Sequence, residues 1–167
     1  MSKKIAILSA EDIRQKTTRI AYQILEENFA EKKIVMIGIK DNGLVYAKQL
    51  IAAIDKIEKL DIELLSLSID KSKPLSQPVT LNNQSTLNGK VVILVDDVAN
   101  TGKTMFYALQ PLLQYSPKKV QAVVLVDRQH KLFPVTPDFI GLSLSTTLKE
   151  RIEVQFDKKG NGTAYLV

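Results

Sequence analysis

Residues 91–95 read Val-Val-Ile-Leu-Val, apolar without alternation, and run directly into Asp96 and Asp97. A strand with one wet face alternates apolar and polar side chains. One that does not alternate is covered on both faces, as in a parallel sheet between helical layers. Thr101-Gly102-Lys103-Thr104 follows, and residues 104–115 read as a helix. The chain must therefore bury this strand centrally and present two carboxylates beside a helix start at its carboxyl end.

The flanking segments supply such a sheet. Residues 10–29 predict an amphipathic helix, with Ser9 as N-cap and Ile13, Ile20, Ile24 and Leu25 near helical spacing. Strands are predicted at 33–40, 62–69, 90–95, 120–126 and 139–144. A second helix is predicted from Gly43 to residue 54 or 59. Pro111 inside 104–115 predicts a kink or an early end. Residues 150–156 and 163–166 read as added edge strands. The expectation is an α/β fold with a doubly wound, mostly parallel sheet and a small hood from the terminal segments. It forms one domain over 1–167. Pro74, Pro78 and the Asn82-Asn83-Gln84-Ser85 run make residues 70–89 a flexible loop or hairpin, expected over the active site.

Composition narrows the function classes. There is no cysteine, which excludes disulfides, thiolate metal sites and Cys nucleophiles. No apolar run approaches the ~20 residues of a membrane helix. The apolar stretch after Lys3-Lys4 is too short for a secretory signal. A cytoplasmic protein is expected, with no membrane partner. The net charge of +5 suits phosphate-bearing ligands or RNA, and equally a plain solubilising excess of lysine.

The residues after the central strand suggest their own chemistry. Ala99, Thr101 and Gly102 are small, and Gly102 permits close backbone approach or positive φ. A helix start leaves N–H groups unpaired and favours an anion, and the Thr101 and Thr104 hydroxyls add donors. Asp96 and Asp97 would repel that anion, but they can accept hydrogen bonds from a diol or hold Mg²⁺ through water. A phosphate place beside a sugar-hydroxyl place fits a phosphorylated ribose. Asp97 stands where a Walker A loop requires glycine, which argues against an NTPase.

Val-Asp-Asp-Val-Ala-Asn-Thr-Gly-Lys-Thr at 95–104 resembles the motif by which type I phosphoribosyltransferases bind 5-phosphoribosyl 1-pyrophosphate (PRPP). Further resemblance lies in Ile13-Arg14, Thr18-Arg19-Ile20-Ala21, Gly38-Ile39-Lys40 with Gly43, residues 122–130, and Pro137-Asp138-Phe139-Ile140-Gly141. Val126-Asp127-Arg128-Gln129-His130 points to the PyrR branch of pyrimidine attenuators and uracil phosphoribosyltransferases. The resemblance implies transfer of ribose 5-phosphate from PRPP to a nucleobase, with Mg²⁺ as cofactor and a homodimer or higher homo-oligomer. By position, Asp96 and Asp97 would hold the ribose hydroxyls, directly or through Mg²⁺. Ala99, Asn100, Thr101, Gly102, Lys103 and Thr104 would cradle the 5′-phosphate. Lys40 and Asp41 would form the pyrophosphate loop, and Lys40 joins the two acids as a catalytic candidate. Asp127, Arg128, Phe139 and Ile140 would contact the base.

Plainer readings stand beside these. Asp127 and Arg128 could form a structural ion pair, Phe139 could be core, and His130 reads as a loop residue. Purine-salvage relatives carry an acid where Asn100 sits and a lysine near Asp127; both departures favour uracil. The PyrR branch carries arginine where Asn42 stands, and Tyr-Arg-Asp in the flexible loop where this chain has Ser68-Ile69-Asp70-Lys71, then Ser72-Lys73-Pro74. Lys71 or Lys73 supplies only a point charge there, so slow turnover, or none, is expected. The alternative function is a catalytically weak nucleotide- or PRPP-sensing regulator of pyrimidine genes. It would bind RNA through a basic first segment: Lys3, Lys4, Arg14, Lys16 and Arg19. Tyr22 stands where attenuators carry histidine, which ranks RNA second as a partner.

Overall fold

The computed structural model describes residues 4–83 and 85–167; Lys3 and Gln84 lie outside the described residues. Its elements are β1 (Ile5–Leu8), α1 (Ala10–Glu27), β2 (Lys33–Ile39), α2 (Asn42–Ile57), β3 (Asp61–Ser68) and β4 (Thr80–Leu81). There follow β5 (Val91–Ala99), α3 (Lys103–Ala108), a 3₁₀ turn (Gln110–Leu112), β6 (Lys119–Arg128), β7 (Phe139–Leu144), β8 (Ile152–Phe156) and β9 (Gly162–Leu166). Six strands form the main sheet in the order β4-β3-β2-β5-β6-β7, all parallel except β4. The chain winds outward in both directions from the β2–β5 pair, so their carboxyl ends form the switch point where ligands of such sheets bind.

Both faces of the sheet are covered, as the non-alternating run requires. Ile34, Met36, Val91, Ile93 and Val95 pack beneath α1 and α2 with Ile20, Ile24, Tyr46, Leu50 and Ile54. Val35, Ile37, Val92 and Leu94 face Leu87, Met105, Ala108 and Leu112 on the other side. Each such aliphatic side chain contributes about 1.5–3 kcal/mol when fully buried. Ser9 caps α1 in a reciprocal box with Asp12.

Two expectations are corrected, the end of the central strand and the place of the last two strands. β5 continues to Ala99, so the acids lie inside the strand, because β6 extends far enough to pair Val98 with Val126 and Ala99 with Asp127. α3 has six residues and gives way to the 3₁₀ turn that carries Pro111, the early end expected there. The segments at 150–156 and 163–166 do not edge the main sheet. They form β8 and β9 of a separate antiparallel sheet in the order β1-β9-β8, whose third member, β1, was not expected. Among the described residues of 70–89, β4 turns back to pair antiparallel with the end of β3, as in a hairpin.

Candidate active site

A cavity of about 440 Å³ opens at the carboxyl end of β5. Lys71 and Ser72, the run from Asp96 to Met105, and Arg151 with Ile152 line it. The cavity thus lies between the 70–89 loop, the β5–α3 turn and the small sheet. Its size suits a small-molecule ligand.

Asp96 and Asp97 are both buried, at 2% and 7% exposure. Desolvation, then the charge of Asp97, pushes the Asp96 carboxyl up to about 8, against the pull of Lys71. The Lys71 ammonium lies 2.9 Å from Asp96 Oδ1 and 3.8 Å from Asp97 Oδ1. These charges, with Asp41, raise the Lys71 pKa despite its own desolvation. The loop that delivers Lys71 is folded around Asp70, whose carboxylate accepts from the Ser72 hydroxyl and from the Ser72 and Lys73 N–H groups. Those bonds, led by the Ser72 hydroxyl, hold Asp70 at about 2.

Asn42 opens α2 and ties three elements together. Its Nδ2 donates to Asp97 Oδ2 at 2.8 Å and to the Val154 carbonyl of β8 at 2.9 Å. Gly43 follows because nothing larger fits: a Cβ there would stand 2.6 Å from the Val95 carbonyl oxygen. Lys40 is exposed and Asp41 precedes α2; the peptide bond joining them is cis.

The turn after β5 is shaped by Gly102, which takes φ +83°. The Thr101 hydroxyl accepts from the Lys103 N–H at 3.3 Å, and Asn100 Oδ1 accepts from the Ile152 N–H at 3.4 Å. Asn100 therefore joins the turn to the small sheet.

The expected base contacts are not gathered at the cavity. Phe139 starts β7 and pairs with Val123, whereas the site is level with Asp127, the partner of Ala99. Four residues of β6 separate the two levels, about 13 Å at strand rise. Phe139 is core, and the Ile140 carbonyl accepts from Arg19 instead. The Arg128 guanidinium donates to Thr146 and Thr147, and Asp127 pairs with Lys131 rather than with Arg128. Ile152, Arg151, Asn42 and Lys131 escaped the sequence reading. Ile152 and Arg151 lie on the small sheet and in the link before it; the strands at 150–156 and 163–166 were visible in the sequence, but their pairing with β1 beside the cavity was not, and the Asn42 departure was the other visible signal.

Residues 6–157 match the model of the phosphoribosyl transferase domain. The chain belongs to the phosphoribosyltransferase family. Within it, the chain is 37% identical to a bifunctional protein PyrR from Alkaliphilus metalliredigens, over 95% of this chain and 93% of that one. It is 36% identical to bifunctional protein PyrR 1 from Lactiplantibacillus plantarum, over 91% and 90% of the two chains. This phosphoribosyltransferase therefore falls in the PyrR branch. Its fold is also that of the Trypanosoma cruzi hypoxanthine phosphoribosyltransferase, with TM-score 0.78, 15% identity, and coverage of 96% of this chain and 95% of that one.

Proposed function

We propose that the chain transfers the ribose 5-phosphate of PRPP to a nucleobase, with uracil the favoured acceptor, and releases pyrophosphate. A ring nitrogen of the base bonds to the ribose C1 as the C1–O bond to pyrophosphate breaks; the nitrogen gives up its proton. The observation that carries this reading is one cavity wall holding a buried acid pair followed by an acid-free turn with its glycine at positive φ. The turn suits the 5′-phosphate and the acids suit the ribose hydroxyls. Lys40 and Asp41, at the neighbouring end of β2, are the pyrophosphate side in this account. Catalysis here is positioning and charge stabilisation.

Two adjacent carboxylates, with no group of three metal-binding side chains among the described residues, fit a Mg²⁺ ion that keeps most of its water and substrate ligands. When bound, the ion neutralises charge on the pyrophosphate. Asp96 and Asp97 would hold it, through water. Arg151 and Ile152 replace Phe139 and Ile140 as the base side of our reading. The preference for uracil rests on Asn100, which cannot ionise, and on the PyrR relatives. Lys131 offsets the charge of Asp127, so repulsion of a 6-oxopurine no longer supports it.

By its family we assign the chain to the cytoplasm and to a homo-oligomer. No helix among the described residues is long and apolar enough to cross a membrane.

The site reading is tested by Asp97→Asn. Its PRPP affinity should fall while its melting temperature holds; unchanged affinity overturns the assignment. Thr101→Val should weaken binding of 5′-nucleotides in the same assay.

A second reading adds RNA. Arg14, Lys56 and Lys159 surround a groove between α1 and α2, away from the acids. Arg19 is not free for it, since its guanidinium donates to the Ile140 and Gly141 carbonyls. RNA binding through phosphates would weaken steeply with salt; a flat salt response would remove this reading.

A further inference from the structure

We propose that Lys131 is a positioning residue for phosphoribosyl transfer, holding the turn after β5 from behind and aiming its N–H groups into the cavity. This rests on the reading of that turn as the 5′-phosphate cradle.

Lys131 lies in the link between β6 and β7, which folds back over the turn. Its ammonium is in contact with the Asp127 carboxylate and donates to the Ala99 carbonyl at 3.1 Å and the Arg128 carbonyl at 3.0 Å; the Asn100 carbonyl stands at 3.5 Å. The next two residues continue the clasp. The N–H groups of Leu132 and Phe133 donate to the Thr101 carbonyl at 2.9 and 3.1 Å. The Phe133 ring then packs on Phe106 and Tyr107 of α3. Three consecutive carbonyls of the turn, at 99, 100 and 101, thus face one link.

The consequence follows from peptide geometry. A trans peptide points its N–H opposite to its C=O. Turning the Asn100 and Thr101 carbonyls toward the link turns the N–H groups of Thr101 and Gly102 away from it. The cavity lies on that other side: Thr101 and Gly102 line it, and Lys131 does not. Lys131 also draws carbonyl charge away from the place of the phosphate. Asp127, buried at 5% exposure, is the anchor that keeps the ammonium there. Its role in this account is to hold Lys131 rather than to touch the base.

The test is binding of ribose 5-phosphate to Lys131→Met, Lys131→Arg and wild type, with KM for PRPP and for uracil measured alongside. Lys131→Met should bind ribose 5-phosphate about tenfold more weakly and raise KM for PRPP by a similar factor, leaving KM for uracil unchanged. Lys131→Arg should stay within about threefold of wild type. Because methionine leaves Asp127 buried without its cation, Asp127→Asn combined with Lys131→Met removes that charge. The double variant should fold and show the same loss. Wild-type affinity in either methionine variant overturns the inference while the cradle reading stands. Equal loss with arginine and methionine also overturns it. Failure of wild type to bind ribose 5-phosphate removes the cradle reading, and the inference with it.

Discussion

The ammonium of Lys71 lies 2.9 Å from Asp96 Oδ1, so the loop over the cavity places its cation on the buried acid pair. In the proposed reaction that place belongs to the ribose hydroxyls or a hydrated metal ion. The proposed reaction therefore requires Lys71 to leave the acids when substrate binds, and predicts that it moves beside the pyrophosphate. Lys71→Met should bind Mn²⁺, as a probe for Mg²⁺, several-fold more tightly in the absence of PRPP, read by electron paramagnetic resonance. Its kcat should fall. Unchanged or weaker Mn²⁺ binding would contradict the account.

Asn42 donates to the Asp97 carboxylate and reaches β8 as well. Asn42→Ala removes both bonds and should cost about 1–2 kcal/mol of stability. PRPP affinity should also drop, because Asp97 loses its fixed orientation. Urea unfolding and PRPP titration check the two effects separately.

Gly43 marks where α2 passes closest to β5. Gly43→Ala drives a Cβ to 2.6 Å from the Val95 carbonyl oxygen and 3.0 Å from Asp96 Cα. The strand or the helix must move, at about 1–3 kcal/mol. Lys48→Ala, at an exposed position of α2, should change stability by less than about 0.5 kcal/mol. Similar melting temperatures for the two variants would sink this explanation.

Tyr46, in the core beneath α1, has its hydroxyl pushed from 10.0 up to about 12 by burial, against a hydrogen bond from Thr17. The raised value means that its contribution to stability is full below pH 10.0 and is lost as pH rises toward about 12. Tyr46→Phe has no such loss. The stability of wild type relative to this variant should fall by about 2–3 kcal/mol over that window. Urea unfolding of both proteins from about pH 9 upward measures it. A constant difference would refute the cause.

The central strand and its acids were legible because their signal is local: five apolar residues without alternation, ending on two acids and a turn, fit a strand covered on both faces. The hydrogen bonds of the site were not. Asn42 meets Asp97 across 55 residues, Asn100 meets Ile152 across 52, and β1 exists because β9 pairs with it from the far end of the chain. No periodicity encodes such pairings. Phe139 misled for the same reason: its motif is visible, but whether it opens or closes β7 is decided by register with Val123.

The most direct test is pyrophosphate release from PRPP and Mg²⁺, with uracil, with hypoxanthine and without base, in wild type and in Asp97→Asn. The account predicts release that requires a base, is fastest with uracil and is lost in the folded variant. No release with any base, or release untouched by Asp97→Asn, would contradict it.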